Sequence, residues 1–312
     1  MIIKKKVRIY DICWLNYAQG GMIGTFYEPE TKEELINICR SLYKNGKQFD
    51  LIGHTSNIYF LPNYSVDVMV STRKVKAVEY TKDLIIADCG APVKSLAHKM
   101  VNEGIKGFEG LIDLPGTVAA SVYGNASCYD CSINSMLVSV EFLKENGDIV
   151  TFKPVDLKFR RRSSALKCGD IKGVILSVTL RKEYGDKEEL KVLADKNHMR
   201  RFETQPGPKD NLGSIYSGNH QKSVYNYVII FLSKICTRLV TLFTSYKVKQ
   251  KYIYFSLLGA KDLLPYVRSW NRYIWKDEKS HVLFWKYHRL HKKLYKNSTF
   301  EIEIKGERKT EL

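Results

Sequence analysis

The sequence predicts an α+β protein built from two parts of different character. Residues 1–182 alternate short apolar runs with a few segments of helical periodicity, which indicates strands with interleaved helices. The 312-residue chain is 44% hydrophobic, which supplies enough apolar material for a packed core and excludes wholesale disorder. Residues 183–200 are charged and polar and predict a linker or the entrance to a second domain, after which the sequence becomes basic and aromatic. We therefore expect a first domain at 1–182, with subdomains at about 1–78 and 79–182, and a smaller α/β domain at 198–312.

Local patterns predict the individual elements of the first part. Thr31–Asn45 has apolar residues at helical spacing, with Thr31 as N-cap and Glu34 completing a capping box. Val93–Glu103 is a second predicted helix. Asn146-Gly147 is a strong signal for a two-residue hairpin turn. The predicted strands are 49–53, Val66–Ser71, Val75–Tyr80, Leu84–Asp88, Met136–Lys144, Gly147–Phe152 and Gly173–Arg181.

The net charge of +17 predicts an anionic partner and is concentrated in one segment. Residues 225–296 hold 15 Lys and Arg against 3 Asp and Glu, a net charge of +12, and 16 of the 37 aromatic residues. Within this segment Tyr225–Phe243 is mostly apolar, but Lys234 and Arg238 lie in its middle, where they would be costly at bilayer depth. For this reason no spanning helix is predicted. The N-terminus lacks the pattern of a secretory signal, so no signal peptide is predicted either.

The cysteines favour a reducing compartment and argue against a metal site. Seven cysteines, an odd number scattered through the chain, fit the cytoplasm better than a disulfide framework. Cys128 and Cys131 form a lone CxxC without a second pair of ligands, so we predict no bound metal.

Two stretches carry the strongest signals for a ligand. LIGHTSNIYF (51–60) places small residues at a strand-to-loop transition, where consecutive backbone N–H groups can hold phosphate oxygens. It is not a Rossmann fingerprint, because GxGxxG is absent. Residues 107–130 are dense in small side chains, which suits a backbone packed against a large flat ligand. An ordinary glycine turn and a tightly packed helix remain the alternatives for the two stretches.

Six segments, in their order along the chain, resemble the UDP-N-acetylenolpyruvoylglucosamine reductase family, flavoenzymes with a vanillyl-alcohol-oxidase-type (PCMH-type) FAD domain. Residues 222–296 show almost no resemblance to the family. The chain also departs from the family's pattern at Ala119-Ala120, Arg161 and Ser217. The six segments are LNYAQGGMIGTFYEPETKEEL (15–35), LIGHTSN (51–57), GFEGLIDLPGTVAASVYGNASCY (107–129), FRRRSSALK (159–167), RRFETQPGPKDNLGSIYSGN (200–219) and FEIEIKGE (300–307).

The resemblance implies an FAD-dependent oxidoreductase of peptidoglycan synthesis. In the family NADPH reduces FAD, and the flavin N5 then passes hydride to the enolpyruvyl group of a UDP-sugar. The resemblance implies that Ser214 gives a proton to the carbon and that Arg162 holds the substrate carboxylate. Glu303 is the third implied catalytic group, with Glu301 as the competing choice. The implied cofactor-binding residues are Gly53, His54, Thr55, Ser56, Asn57, Ile58, Pro115, Gly116, Thr117, Ser121 and Asn125.

The alternative function is a divergent flavin-binding protein of surface-polysaccharide synthesis that docks on a membrane or a protein through 225–296. Trp270, Trp275 and Trp285 are residues typical of such interfaces, although a core helix with a solvated basic face explains the same pattern. No nucleic-acid motif accompanies the basic and aromatic residues, so we expect no nucleic-acid partner. We expect a cytoplasmic protein, with association at the cytoplasmic side of the membrane as the alternative.

Overall fold

The computed structural model describes residues 1–17, 20–244 and 248–306. Positions 18, 19 and 307, which belong to two of the six family-like segments, lie outside the described residues. The helices are α1 (Lys32–Lys44), α2 (Val93–Asn102), α3 (Val118–Tyr123), α4 (Ile133–Met136), α5 (Ala165–Cys168), α6 (Lys187–Thr204), α7 (Val224–Phe243), α8 (Gln250–Leu257) and α9 (Glu278–Leu294). The strands are β1 (Ile2–Arg8), β2 (Met22–Glu28), β3 (Asp50–Ile52), β4 (Ile58–Phe60), β5 (Val66–Ser71), β6 (Val78–Tyr80), β7 (Leu84–Asp88), β8 (Ser127–Cys128), β9 (Cys131–Ser132), β10 (Leu137–Lys144), β11 (Ile149–Phe152), β12 (Gly173–Arg181), β13 (Tyr216–Lys222), β14 (Val267–Ser269), β15 (Arg272–Tyr273), β16 (Tyr295–Phe300) and β17 (Glu303–Lys305).

Two sheets organise the first part of the chain. The first sheet has the order β1-β2-β5-β3, with β1 antiparallel to β2 and the other pairs parallel. The second sheet has the order β11-β10-β12-β7-β6 and is antiparallel throughout. The hairpin predicted at Asn146-Gly147 joins β10 to β11, but its connection is the four residues 145–148 and not a two-residue turn. Gly147 has a φ of 91°, which a glycine adopts at little cost.

Helix α1 shows how closely a local signal matches the structure. The side chain of Thr31 accepts a hydrogen bond from the backbone N–H of Glu34 (3.2 Å), as the capping pattern predicts. The Glu34 carboxylate reaches back to the backbone N–H of Glu30 (2.9 Å), one residue before the cap. Helices α1 and α2 share a continuous apolar core with the second sheet, because their apolar residues recur at helical spacing.

The linker prediction for 183–200 is wrong, because most of that stretch forms the long helix α6. Asp186 caps the helix, and its side chain accepts hydrogen bonds from the N–H groups of Glu188 and Glu189. Only Leu190 and Ala194 are buried, and they join the core of the first part. A helix that buries so few residues has few apolar side chains at helical spacing, so its sequence resembles that of a loop.

The C-terminal part has its own core of aromatic side chains. Trp275, Tyr273, Phe284 and Tyr287 are fully buried there, so the assignment of Trp275 to an exposed interface is wrong. Tyr59 of β4 packs into the same core and so seats the C-terminal part on the first subdomain. Strand β17 then returns to the first subdomain and pairs in parallel with β4.

Several features bear on the function classes considered from the sequence. All seven cysteines have free thiols, and the described residues contain no cluster of three or more candidate metal ligands. Among the described residues, α7 alone is long and apolar enough by composition to cross a membrane. Its most apolar stretch has a mean hydropathy of 1.4, and only 17% of that stretch is buried.

Candidate functional site

A cavity of about 800 Å³ lies where the two sheets meet the C-terminal part. Residues separated by as many as 254 positions in the sequence, Leu51 and Lys305, come together in its wall. The imidazole of His54 and the side chain of Asn125 do not line it, and Asn125 instead donates a hydrogen bond to the carbonyl of Arg160 (2.8 Å). The lining includes these residues singled out from the sequence: Gly53, Thr55, Ser56, Asn57, Ile58, Pro115, Gly116, Thr117, Ser121, Arg162, Ser214, Glu301 and Glu303.

Two glycines allow the loops of residues 53–57 and 115–117 to approach each other closely. A Cβ on Gly53 would stand 3.1 Å from Thr117 Oγ1. A Cβ on Gly116 would stand 3.3 Å from Ser56 Oγ, and Gly116 has a φ of +111°, which side-chain-bearing residues rarely adopt. The two loops therefore form a cradle of bare backbone, which we call the glycine cradle.

The 53–57 side of the glycine cradle is anchored from behind and presents its backbone to the cavity. Thr55 has a φ of 55°, and its hydroxyl accepts a hydrogen bond from the backbone N–H of Trp14 (2.7 Å). Within the described ranges, the N–H groups of residues 54–57 donate no hydrogen bond to the protein. A run of N–H groups without protein acceptors is suited to holding an anion.

The 115–117 side of the cradle leads into the short helix α3. Thr117 caps α3 and accepts a hydrogen bond from the N–H of Ala120 (3.3 Å). Ser121 is buried and lines the cavity, as do the methyl groups of Ala119 and Ala120. These small side chains leave room in the cavity along this part of α3.

Arg162 enters the cavity as one half of an ion pair. Its Nε lies 3.0 Å from Glu301 Oε1, and both side chains are largely shielded from solvent. Arg162 lies within a tight turn in which Arg160 and Ser163 exchange backbone hydrogen bonds, and it adopts a φ of 57°. A guanidinium has five N–H donors, so Arg162 can hold Glu301 and a further carboxylate at once.

Ser214 is held by an arginine that the sequence did not single out. Arg272 Nη1 donates a hydrogen bond to Ser214 Oγ (2.7 Å) and another to the carbonyl of Asn271 (2.9 Å). Because a guanidinium only donates, the hydroxyl proton of Ser214 is not used in this contact and can go to another acceptor. Arg272 lies in the 225–296 segment on the two-residue strand β15, where no motif or periodicity marks it.

Hydrogen bonds connect Glu303 and Glu301 to Asn57, where β17 begins to pair with β4. Its N–H donates to the carbonyl of Asn57 (2.9 Å), and Asn57 Nδ2 donates to the carbonyl of Glu301 (3.1 Å). Burial raises the pKa of the Glu303 carboxyl, although Lys167 and Lys305 partly oppose this effect. Burial also raises the pKa of Glu301, against the opposing charge of Arg162. The cavity thus holds two carboxyls that take up a proton more readily than exposed ones.

The raised pKa of Glu303 has a measurable consequence for stability. The folded protein binds the proton of the Glu303 carboxyl more tightly than the unfolded chain does. The stability that this proton contributes is therefore fully present below the pKa of Glu303 in the unfolded chain. It is lost as the pH rises through the pKa of Glu303 in the folded protein. We expect Glu303→Gln to abolish this loss of stability. Between the two pKa values the loss in the free energy of unfolding is about 1.4 kcal/mol for each pH unit. Urea unfolding between about pH 4 and pH 8 measures it. The exposed Glu188→Gln is the control, and variant and wild-type curves that run parallel would contradict the expectation.

The chain matches known proteins over part of its length. Residues 25–153 match the family model described as "FAD binding domain". The UDP-N-acetylenolpyruvoylglucosamine reductase of Caldicellulosiruptor saccharolyticus is 30% identical over 203 residues, 64% of this chain and 65% of that protein. The enzyme of the same name from Carboxydothermus hydrogenoformans is 30% identical over 198 residues, 63% of this chain and 65% of that protein. The matched region therefore spans slightly less than two thirds of the length of each of these relatives.

A crystal structure shares the fold over nearly the whole chain. The UDP-N-acetylenolpyruvylglucosamine reductase of Thermus caldophilus superimposes with a TM-score of 0.67, covering 98% of this chain and 100% of that one at 18% identity. The protein therefore has the two-domain FAD-binding fold.

The residues of the cavity fit FAD. The volume of about 800 Å³ lies within the range of about 300–1,000 Å³ for cofactor and ligand sites. The glycine cradle supplies bare backbone and N–H groups without protein acceptors, which a diphosphate requires. The small side chains of Ala119, Ala120 and Ser121 leave room for a large ring system along α3.

Proposed function

We propose that the protein is an FAD-dependent oxidoreductase of the UDP-N-acetylenolpyruvoylglucosamine reductase type, because an enzyme of that name is 30% identical to it over 203 residues. Its reductant is NADPH, and its substrate is the enolpyruvyl group of a UDP-sugar. The FAD-binding domain comprises residues 1–182 and the substrate domain residues 198–312, and helix α6 spans the boundary between them. Bound FAD supplies hydride transfer, taking hydride from NADPH and giving it to the enolpyruvyl double bond.

One observation carries this proposal. Arg162, Ser214 and Glu303 come from three distant parts of the sequence and line the same cavity as the glycine cradle. An arginine, a hydroxyl and a carboxyl beside a cradle for a diphosphate are the groups that reduction of an enolpyruvyl ether needs. The carboxylate of that substrate requires a cation, and the carbon that gains electron density requires a proton.

Ser214 is the proposed proton donor, with Arg272 as its positioning residue. The hydrogen bond from Arg272 orients the hydroxyl and places positive charge beside its oxygen. That charge stabilises the alkoxide character which develops as the proton leaves. Burial lowers the pKa of Arg272, yet arginine stays charged at neutral pH, so the contact persists.

Arg162 is the proposed anchor for the substrate carboxylate, and Glu301 is the group that orients it. The ion pair fixes the guanidinium plane, while the remaining N–H donors can face the substrate. Glu303 lies beside them in the cavity wall, and burial raises the pKa of its carboxyl. This division assigns the orienting role to Glu301, while Glu303 polarises the site or assists proton delivery.

The departures from the family pattern leave room for a different sugar. Ser217 stands at the family's lysine position, and its hydroxyl lies 3.1 Å from Thr299 Oγ1, outside the cavity lining.

We propose a cytoplasmic location, which the seven free thiols favour.

The test separates the two half-reactions. Purified protein with FAD is mixed anaerobically with NADPH, and bleaching of the visible flavin band is followed. UDP-N-acetylglucosamine enolpyruvate is then added and the return of the band is followed, with UDP-N-acetylglucosamine as the control because it lacks the double bond. We expect return of the band with the enolpyruvyl compound alone.

Two outcomes would contradict the proposal. Failure of NADPH to bleach the bound flavin would show that NADPH is not the reductant. Failure of every enolpyruvyl UDP-sugar to restore the band would remove the proposed substrate class and leave a flavin-binding protein of other function.

A further inference from the structure

Helix α7 turns two polar residues, together with Ile229, toward the protein and most of its apolar residues toward solvent. Asn226 and Ser233 are fully buried. Asn226 Nδ2 donates to the carbonyl of Leu294 (3.1 Å), and the hydroxyl of Tyr254 donates to Asn226 Oδ1 (2.8 Å). Gln250 Nε2 donates to Ser233 Oγ (2.9 Å). Polar contacts from α8 and from the end of α9 therefore fix which side of α7 faces the protein.

The outward side of α7 carries a continuous stripe of exposed apolar side chains. At 100° per residue its members fall within about 120° of the helix circumference. The exposed fractions of Phe231, Leu242 and Phe243 are 62%, 77% and 83%. This polarity is the reverse of that of a surface helix in water, so we expect an apolar partner to cover the stripe. Its members, which we call the α7 apolar stripe, are Val224, Tyr225, Val228, Phe231, Leu232, Ile235, Leu239, Leu242 and Phe243.

Basic residues accompany the α7 apolar stripe, and acidic residues are absent from the sequence around it. Lys234 and Arg238 are exposed, lie one helical turn apart and border the stripe on the same flank. Residues 211–261 contain seven Lys and Arg and no Asp or Glu. The charge around the stripe is therefore complementary to an anionic surface.

A spanning orientation does not agree with these contacts. Lys234 and Arg238 lie near the middle of the helix, where the hydrocarbon core would strip both charges of water. The hydrogen bonds of Asn226 and Ser233 hold the inner side of α7 against α8 and the end of α9. A helix held to the fold along one side can lie flat on a membrane but cannot cross it while those contacts persist.

A second copy of the chain is a poor partner for the stripe. In an antiparallel twofold contact the middle of α7 would face the same region of its mate. Lys234 and Arg238 would then approach their own counterparts, without an acidic residue in 211–261 to offset the repulsion.

We propose that α7 docks the protein on an anionic lipid surface. The α7 apolar stripe enters the boundary between headgroups and acyl chains, and Lys234 and Arg238 contact lipid phosphates on its flank. The docked helix lies in the plane of the membrane, with the fold on its inner side. The proposal is independent of the flavin chemistry, because no stripe residue lines the cavity.

Co-sedimentation of the full chain with vesicles tests the proposal. Vesicles of phosphatidylcholine with phosphatidylglycerol are compared with vesicles of phosphatidylcholine alone. We expect binding to the anionic vesicles, reduced at least about tenfold by Lys234→Glu/Arg238→Glu. We expect a similar loss for Phe231→Ser/Leu242→Ser, which removes apolar contact without changing charge. Circular dichroism and FAD retention verify that both variants stay folded.

A matched control separates local charge from net charge. Lys82→Glu/Lys158→Glu makes the same change of net charge at exposed positions of the FAD-binding half and is expected to leave binding unchanged. Absence of wild-type binding to anionic vesicles would overturn the proposal. An equal loss in the control pair would overturn the role of α7, and a dimer that Phe231→Ser/Leu242→Ser abolishes, without vesicle binding, would assign the stripe to a second copy.

Discussion

Replacement of Ser214 by alanine is expected to slow reoxidation of the reduced flavin by the enolpyruvyl UDP-sugar about 10²- to 10⁴-fold, the range for loss of a positioned proton donor. The reason is local, because Arg272 holds the Ser214 hydroxyl in the cavity and alanine leaves that donor without a proton to give. Bleaching by NADPH is expected to stay at the wild-type rate, since it needs no proton from Ser214. Stopped-flow absorbance of the two half-reactions measures both rates.

Ser217→Ala is the matched control for this prediction. Ser217 lies three residues further on, and its hydroxyl contacts Thr299 Oγ1 outside the cavity lining. Its loss is expected to leave both half-reactions within about twofold of the wild type. Reoxidation of the Ser214→Ala protein at the wild-type rate would remove Ser214 from the proposed role.

Replacement of Gly116 by valine is expected to raise the dissociation constant of FAD about tenfold to hundredfold, equivalent to about 1.4–2.8 kcal/mol. The backbone at Gly116 has a φ of +111°, and a Cβ there would lie 3.3 Å from Ser56 Oγ. A branched side chain would both strain the backbone and push the two loops of the glycine cradle apart. Titration of the apoprotein with FAD, followed by flavin fluorescence, measures the affinity.

Gly169→Val separates backbone strain from loss of the cradle. Gly169 also has a positive φ, +82°, but nothing lies within 4 Å of a Cβ built there, and the residue does not line the cavity. The control is expected to lose stability and keep its FAD affinity. Equal FAD affinities in the Gly116→Val and Gly169→Val proteins would show that the glycine cradle does not hold the cofactor.

The first part of the fold is predictable from sequence because its signals are local. Val66–Ser71, Leu84–Asp88 and Gly173–Arg181 are strands with the predicted bounds, since each is an apolar run bordered by turn residues. Helix α6 escaped prediction because only Leu190 and Ala194 face a core. A helix that is polar on nearly all sides has no period to detect.

The site is less predictable because it depends on long-range contacts. The loop and α3 segments carry recognisable small residues, and the structure brings them to one cavity with Arg162, Ser214 and Glu303. The contact between Arg272 and Ser214 spans 58 residues, and no local pattern connects a β15 arginine to a loop serine. The inverted polarity of α7 was equally hidden, since composition alone does not reveal which side of a helix faces the protein.

The absorption spectrum of the purified protein decides whether it binds FAD. The protein is incubated with FAD, freed of unbound cofactor by gel filtration and examined in the visible range. The glycine cradle and the small side chains along α3 predict stoichiometric FAD with the two absorption bands of a bound oxidised flavin. A colourless protein that retains no FAD, with an intact fold by circular dichroism, would contradict the account.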